Sequence, residues 1–114
     1  MDRKLRKYLS DILTAILEVE SFLSDRPKEY ATFCNDTLFR RGVERNMEIM
    51  GEAMNQVLKI NPDIQITSAR KIVDTRNFVI HAYDSLKPDI LWGIVVNHMP
   101  LLKHEVESLL TDES

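Results

Sequence analysis

The chain has 114 residues, a formal net charge of −3 and one cysteine, Cys34. A chain of this length is expected to form one domain, residues 1–114, with a core that needs no disulfide or structural metal. The lone cysteine excludes a disulfide framework and a CxxC metal or redox motif. The acidic balance argues against a protein that coats duplex nucleic acid by charge alone, because such binding depends on Lys and Arg displacing counterions.

The first seven residues are basic, but an amphipathic mixture that includes Asp11, Glu18 and Glu20 follows them. A signal peptide would continue with an unbroken apolar run. No stretch has the apolar length needed to span a bilayer. We therefore expect a soluble, cytoplasmic protein.

A first helix is predicted over residues 4–23, because apolar residues recur at steps of three and four. They are Leu5, Leu9, Ile12, Ile16, Val19 and Leu23. Pro27 ends this helix, since proline disfavours helical geometry in the residue before it. A short turn carrying Tyr30 and Phe33 is predicted to follow.

Residues 35–37, Asn-Asp-Thr, can cap a second long helix that ends near Ile60. Its apolar stripe also steps by three and four, through Phe39, Val43, Met47, Met50, Met54 and Val57. Gly42, Gly51 and Ala53 lie on another face. Glycine inside a helix costs roughly 1 kcal/mol against alanine, so Gly51 indicates close approach by a second helix or a subunit.

Thr67 or Ser68 can cap a third helix, which ends at Asp84-Ser85, and Pro88 begins a fourth. Pro100 should kink or divide this last helix. Period-2 alternation is absent, so the sequence predicts an all-α protein, an antiparallel four-helix bundle.

The three histidines do not form a metal-ligating pattern. His98 and His104 are six positions apart, about 120° around a helix, and His81 is distant from both in sequence. His98 is expected to be partly buried and His104 exposed. Glu-x-x-His pairs, which a two-metal carboxylate site requires, do not occur. No metal or other cofactor is expected.

The reactive side chains concentrate in one stretch that holds Arg76, Asn77, His81 and Tyr83. At about 100° per residue, Arg76 and His81 point about 140° apart on a helix. One straight helix would not aim these groups at one point. They converge if the Arg76 stem reaches around, if the helix frays near His81, or if two copies of the motif face each other in a dimer.

Arg76 also interrupts the apolar stripe of the third helix. A guanidinium there needs a partner, either a carboxylate such as Glu44 or Glu48 or a ligand phosphate. Imidazole transfers protons near neutral pH, arginine stabilises charge on a phosphate, and asparagine can orient a hydroxyl. Metal-free RNA cleavage requires groups of these three kinds. Helices also carry Arg, His and Tyr at similar spacings for stability alone, so these residue types do not by themselves specify a nuclease.

Several segments of the chain together resemble the HepT-like toxins of the HEPN superfamily. They are residues 41–53 (RGVERNMEIMGEA), residues 76–84 (RNFVIHAYD), Leu91-Trp92 and residues 99–101 (MPL). The resemblance covers most of the chain from about Arg40 onward, and it includes the complete Arg-x4-His-x-Tyr pattern.

The resemblance implies a homodimeric, metal-independent ribonuclease toxin in which two such motifs form one cleft at the two-fold axis. Arg76 and His81 would be catalytic, with Asn77 assisting. Tyr83 matches the tyrosine to which a cognate minimal nucleotidyltransferase antitoxin attaches AMP. That modification would place negative charge and bulk beside His81, where the RNA phosphate must lie.

Other interpretations remain open at this stage. Tyr83 could be a packing residue at a helix end, and Trp92 could pack in the core or stack on a base. The protein could be a non-catalytic substrate-binding or accessory subunit of a nucleotidyltransferase, which the acidic charge favours. It could also be a purely structural helical dimer.

Overall fold

A computed structural model describes residues 1–81 and 87–112 of the chain, with the backbone alone given for residues 76–81. Six helices lie within these residues: α1 (Arg3–Ser24), α2 (Tyr30–Asn35), α3 (Thr37–Ile60), α4 (Ala69–His81), α5 (Pro88–Asn97) and α6 (Met99–Asp112). No helix in the described ranges is long and apolar enough to cross a membrane. The all-α fold predicted from the sequence is confirmed.

The two long helices α1 and α3 form the centre of the bundle and run antiparallel. Asp2 caps α1 by accepting hydrogen bonds from the backbone N–H groups of Lys4 and Leu5, at 2.7 and 3.0 Å. Asp36 caps α3 by accepting from the N–H of Phe39 at 3.0 Å. These bonds satisfy N–H groups that have no partner within the first helical turn.

The apolar stripes predicted for these helices face the core. All six predicted positions of α3 are buried, as are five of the six in α1. Leu23, the sixth in α1, is partly buried at the end of that helix. The ring of Phe22 on α1 lies against Gly42 of α3, where a larger side chain would not fit without a shift of the ring. Gly42 therefore permits close packing of α1 on α3.

The shorter helices cover the central pair. α4 packs on α3, α6 packs on α1 and α5, and α2 lies between α3 and α5. The rings of Phe33 and Trp92 lie 5.1 Å apart between centroids, and Phe39 lies 5.1 Å from Phe33. An aromatic cluster therefore holds α2, α3 and α5 together.

The structure tests the sequence-based predictions for two connections, and it contradicts the first and confirms the second. The turn predicted around Tyr30 and Phe33 is wrong, because these residues lie in the short helix α2. The last helix is divided, as predicted, with His98 between α5 and α6 and Pro100 in the first turn of α6. A proline is tolerated there because the missing N–H would have had no helical partner.

Candidate functional site

Helix α4 carries three of the four predicted site residues, Arg76, Asn77 and His81. Tyr83 lies outside the described residues, as do the side chains of the other three. The backbone is helical through His81, so the angle of about 140° between the directions of Arg76 and His81 applies to this helix. The catalytic roles of Arg76, Asn77 and His81 and the modification of Tyr83 therefore stay predictions.

The first half of α4 fixes which face of the helix turns toward the core. Ile72 is fully buried and Val73 is 8% exposed. Thr75 is also buried, and its hydroxyl donates to the Lys71 carbonyl at 2.9 Å. Arg76 follows Ile72 by four residues and Val73 by three, so its backbone position continues this buried face.

The residues directly before α4 are hydrogen-bonded to helix α6 and to the α5–α6 junction. Both carboxylate oxygens of Glu105 in α6 accept from the backbone N–H of Thr67, at 3.1 and 3.2 Å. The Thr67 hydroxyl donates to the same carboxylate at 2.9 Å. The Ser68 hydroxyl and Nδ1 of His98 are 3.3 Å apart. No local sequence pattern predicted these contacts, which join residues 30 or more positions apart.

Ser68 occupies the position directly before α4, and its carbonyl accepts from the Ile72 N–H at 3.0 Å. The predicted start at Thr67 or Ser68 therefore matches the observed first residue, Ala69. The burial of Ser68 is explained by its contact with His98. His98 is partly buried and His104 is exposed, so both expectations for these histidines are confirmed.

The middle of α3 supplies the carboxylates suggested as partners of Arg76. Oε2 of Glu48 lies 3.3 Å from Nη1 of Arg45, one turn away on the same helix. Glu44 is partly exposed. Because the Arg76 side chain is not described, a pairing with Glu44 or Glu48 stays a prediction.

A groove of about 270 Å³ lies along the α1–α3 contact. Its lining mixes the carboxylates of Asp11, Glu48 and Glu52 with Arg45 and with the apolar side chain of Ile49. Lys7 lies 2.8 Å from Asp11, and this contact raises the pKa of the Lys7 ammonium above 10.5. The described lining of the groove holds three carboxylates and one guanidinium, and α4 contributes no residue to it.

Trp92 serves as a packing residue. Its ring lies against Phe33 and stands edge-on to Phe39, 6.4 Å between centroids. Over the described ranges, no group of three or more His, Cys, Asp or Glu side chains is placed to hold a metal ion.

The architecture is that of a helical bundle with an Arg-Asn-x3-His motif on one helix, and the comparisons with known proteins agree on its family. The model of the family described as "HepT-like: Ribonuclease HepT-like" matches residues 12–109. No solved structure gives a significant match. This chain belongs to the HepT-like ribonuclease family.

Relatives align over nearly the whole chain. "Putative RNase MJ1380" of Methanocaldococcus jannaschii is 34% identical over 109 residues, which cover 92% of this chain and 95% of that protein. "Probable ribonuclease HepT" of Thermococcus cleftensis is 33% identical, with 96% and 98% covered. "Putative RNase TTE0752" of Caldanaerobacter subterraneus is 28% identical, with 89% and 93% covered.

Proposed function

We propose that this protein is a metal-independent endoribonuclease that acts as the toxin of a toxin-antitoxin pair. The observation that carries the proposal is the complete Arg-x4-His-x-Tyr pattern of Arg76, His81 and Tyr83 in a chain of this family. The ribonuclease names of the relatives support it. The backbone of α4 holds the Arg and His positions on one helix.

The proposed chemistry is transfer of the RNA phosphate to the neighbouring 2′-oxygen. An imidazole of His81 takes the 2′-hydroxyl proton, the 2′-oxygen bonds to phosphorus, and the bond to the 5′-oxygen breaks. The leaving oxygen takes a proton from an imidazolium, which leaves a 2′,3′-cyclic phosphate and a 5′-hydroxyl. Arg76 stabilises the charge on the pentavalent phosphate, and Asn77 orients a hydroxyl or the histidine tautomer.

This chemistry favours a homodimer. One imidazole cannot be proton acceptor and proton donor in the same step, whereas a two-fold axis supplies a second His81. The divergent directions of Arg76 and His81 on one helix support the same arrangement, because two facing helices can direct both groups into one cleft. We propose that two copies of α4 form this composite cleft.

We propose further that a cognate minimal nucleotidyltransferase silences the toxin by attaching AMP to Tyr83. Tyr83 follows His81 by two residues. A phosphodiester there would place negative charge beside the position of the RNA phosphate, and like charges repel.

Cleavage of a labelled RNA by the purified protein, in the presence of EDTA, tests the enzymatic proposal. Loss of a general acid or base costs about 100- to 10,000-fold in rate, and loss of a group that stabilises transition-state charge costs about 100- to 1,000-fold. His81→Ala and Arg76→Ala should therefore each abolish most cleavage. His104→Ala and Arg70→Ala are matched controls, because both residues are exposed and outside the motif. Intact RNA with the wild type, or equal cleavage by His81→Ala, would refute the proposal.

The modification is tested separately by incubation with the nucleotidyltransferase and ATP. The expected product gains mass in steps of one AMP and loses ribonuclease activity. Tyr83→Phe should gain no mass, whereas Tyr8→Phe and Tyr30→Phe should be modified as the wild type is. Modification of the Tyr83→Phe protein would place the site elsewhere.

A second candidate is a non-catalytic subunit that binds beside a nucleotidyltransferase. The net charge of −3 favours it, because an acidic surface suits a protein partner better than extended nucleic acid. Stable copurification with the nucleotidyltransferase, combined with the absence of RNA cleavage, would select this function.

A further inference from the structure

The hydrogen bonds at the start of α4 suggest a role for a residue far from the Arg-x4-His motif. The carboxylate of Glu105 binds the backbone N–H and the hydroxyl of Thr67, two residues before α4 begins. A carboxylate beside a helix N-terminus also interacts favourably with the helix dipole. The bonds therefore attach the N-terminal end of α4 to α6.

This attachment adds a second contact to the packing of α4 on α3. Within the described part of the chain, α3 is the helix against which α4 packs closely. Ile72 and Val73 fix the rotation of α4 on α3, but apolar contacts of this kind are non-directional. The hydrogen bonds to Glu105 and the Ser68–His98 contact are directional, and they act at one end of the helix.

Glu105 is itself held in a fixed place. Leu102 and Val106 on either side of it are fully buried, and they seat α6 in the core. Lys103 joins α6 to α1 by an ion pair with Glu20 at 2.9 Å, which raises the pKa of the Lys103 ammonium above 10.5. The Glu105 carboxylate therefore belongs to a helix that is held both by buried apolar side chains and by the Lys103–Glu20 ion pair.

We propose that Glu105, through Thr67, is a positioning residue that sets the placement of α4 and thereby of Arg76 and His81. This inference rests on the proposed ribonuclease function. A helix transmits a displacement of its first turn along its length, and Arg76 lies two to three turns from Thr67. A displacement of about 1 Å at reacting groups can cost on the order of 100-fold in rate.

Two variants of Thr67 test the bond without removing a buried side chain. Thr67→Val keeps the shape and loses the hydroxyl donor, whereas Thr67→Ser keeps the donor. Thr67 is exposed, so both proteins should fold. Thr67→Val should lower kcat by about fivefold or more with KM within about twofold, and Thr67→Ser should restore kcat. A residue that only stabilises the fold would not change kcat of the folded enzyme.

Glu105→Gln is compared with Glu107→Gln, which makes the same change at an exposed position of α6. Glu105→Gln should lower kcat, and Glu107→Gln should not. Hydrogen exchange of the α4 amides gives a second measurement: exchange should accelerate over α4 in Thr67→Val and stay unchanged over α1. Faster exchange with unchanged kcat would overturn the positioning role.

The test also separates this inference from the function on which it rests. A wild-type protein that leaves RNA intact, under conditions in which it is folded, refutes the proposed ribonuclease and with it a catalytic consequence of the Glu105 bond. A wild type that cleaves RNA, with Thr67→Val and Glu105→Gln equally active, refutes the positioning role alone.

Discussion

The ring of Phe22 on α1 lies directly against Gly42 on α3. A β-carbon at residue 42 would stand 2.7 Å from Cε2 and 3.0 Å from Cζ of this ring. Gly42→Ala should therefore destabilise the protein by up to about 2 kcal/mol, because moving a ring packed on Phe39 costs about 1 to 3 kcal/mol and alanine in a helix returns about 1 kcal/mol. Urea unfolding measures this difference.

Gly93 of α5 is the matched control. A β-carbon there would meet no atom within 4 Å. Gly93→Ala should stabilise the protein by up to about 1 kcal/mol. Equal effects of the two substitutions would contradict the close approach of Phe22 to Gly42.

Trp92 is predicted to contribute stability and not RNA binding. Trp92→Ala removes contacts with Phe33 and Phe39, and because the indole is partly exposed the expected cost is about 2 to 4 kcal/mol. Trp92→Phe should cost less than about 1.5 kcal/mol. Ribonuclease activity, corrected for the folded fraction, should be unchanged in both, and a rise in KM for RNA would instead support base stacking.

The cap of α3 should make stability depend on pH. The Phe39 N–H and the Arg26 guanidinium lower the pKa of Asp36 below its ordinary value of 3.8. Stability from this carboxylate is present above that value and is lost as the pH falls through the lowered pKa. The wild type should therefore exceed Asp36→Asn in melting temperature at about pH 6, and the difference should shrink toward about pH 3.

Asp63→Asn controls for the loss of one negative charge. Asp63 is an exposed residue between α3 and α4, and Asp63→Asn removes a carboxylate without removing the bonds to Phe39 and Arg26, so its melting temperature at about pH 6 should exceed that of Asp36→Asn. A difference between wild type and Asp36→Asn that stays constant from about pH 6 to about pH 3 would contradict the role of the Arg26–Asp36 pair, whose atoms are 2.9 Å apart.

The composite cleft predicts that His81→Ala inactivates mixed dimers. If each cleft uses one His81 as proton acceptor and the other as proton donor, a dimer of wild type and His81→Ala keeps one imidazole and should cleave RNA as poorly as the His81→Ala dimer. Random pairing after unfolding and refolding equal amounts of the two proteins together should therefore leave about one quarter of the activity of the same total amount of wild type. Light scattering of the same samples reports whether dimers form. Dimers that retain about one half of that activity would argue against a shared cleft.

The long helices could be predicted from the sequence because their apolar periodicity extends over several turns. The first helix was predicted over residues 4–23 and is Arg3–Ser24, and the start of α3 at Thr37 follows from its Asp36 cap. The helix α2 was missed because six residues are too few to show a period. The close approach at Gly42 depends on a ring 20 positions earlier, and no local pattern contains that information.

The candidate site was found through residue chemistry and a family motif, and the structure adds its surroundings. The sequence identified Arg76, Asn77, His81 and Tyr83, and it predicted the start of the helix that carries the first three. It did not predict Glu105 as a partner of Thr67, because this contact depends on how α6 packs after the α5–α6 division. His98, expected only to be partly buried, also contacts Ser68 there.

The Thr67–Glu105 contact has a consequence for biosynthesis. These residues are 38 positions apart, and Glu105 is translated after every residue of the Arg-x4-His motif. During vectorial synthesis α4 can pack on α3 early, yet its attachment to α6 must wait until Glu105 has left the ribosome. If that attachment aligns Arg76 and His81, the nascent chain gains an aligned motif only after α6 has been synthesised.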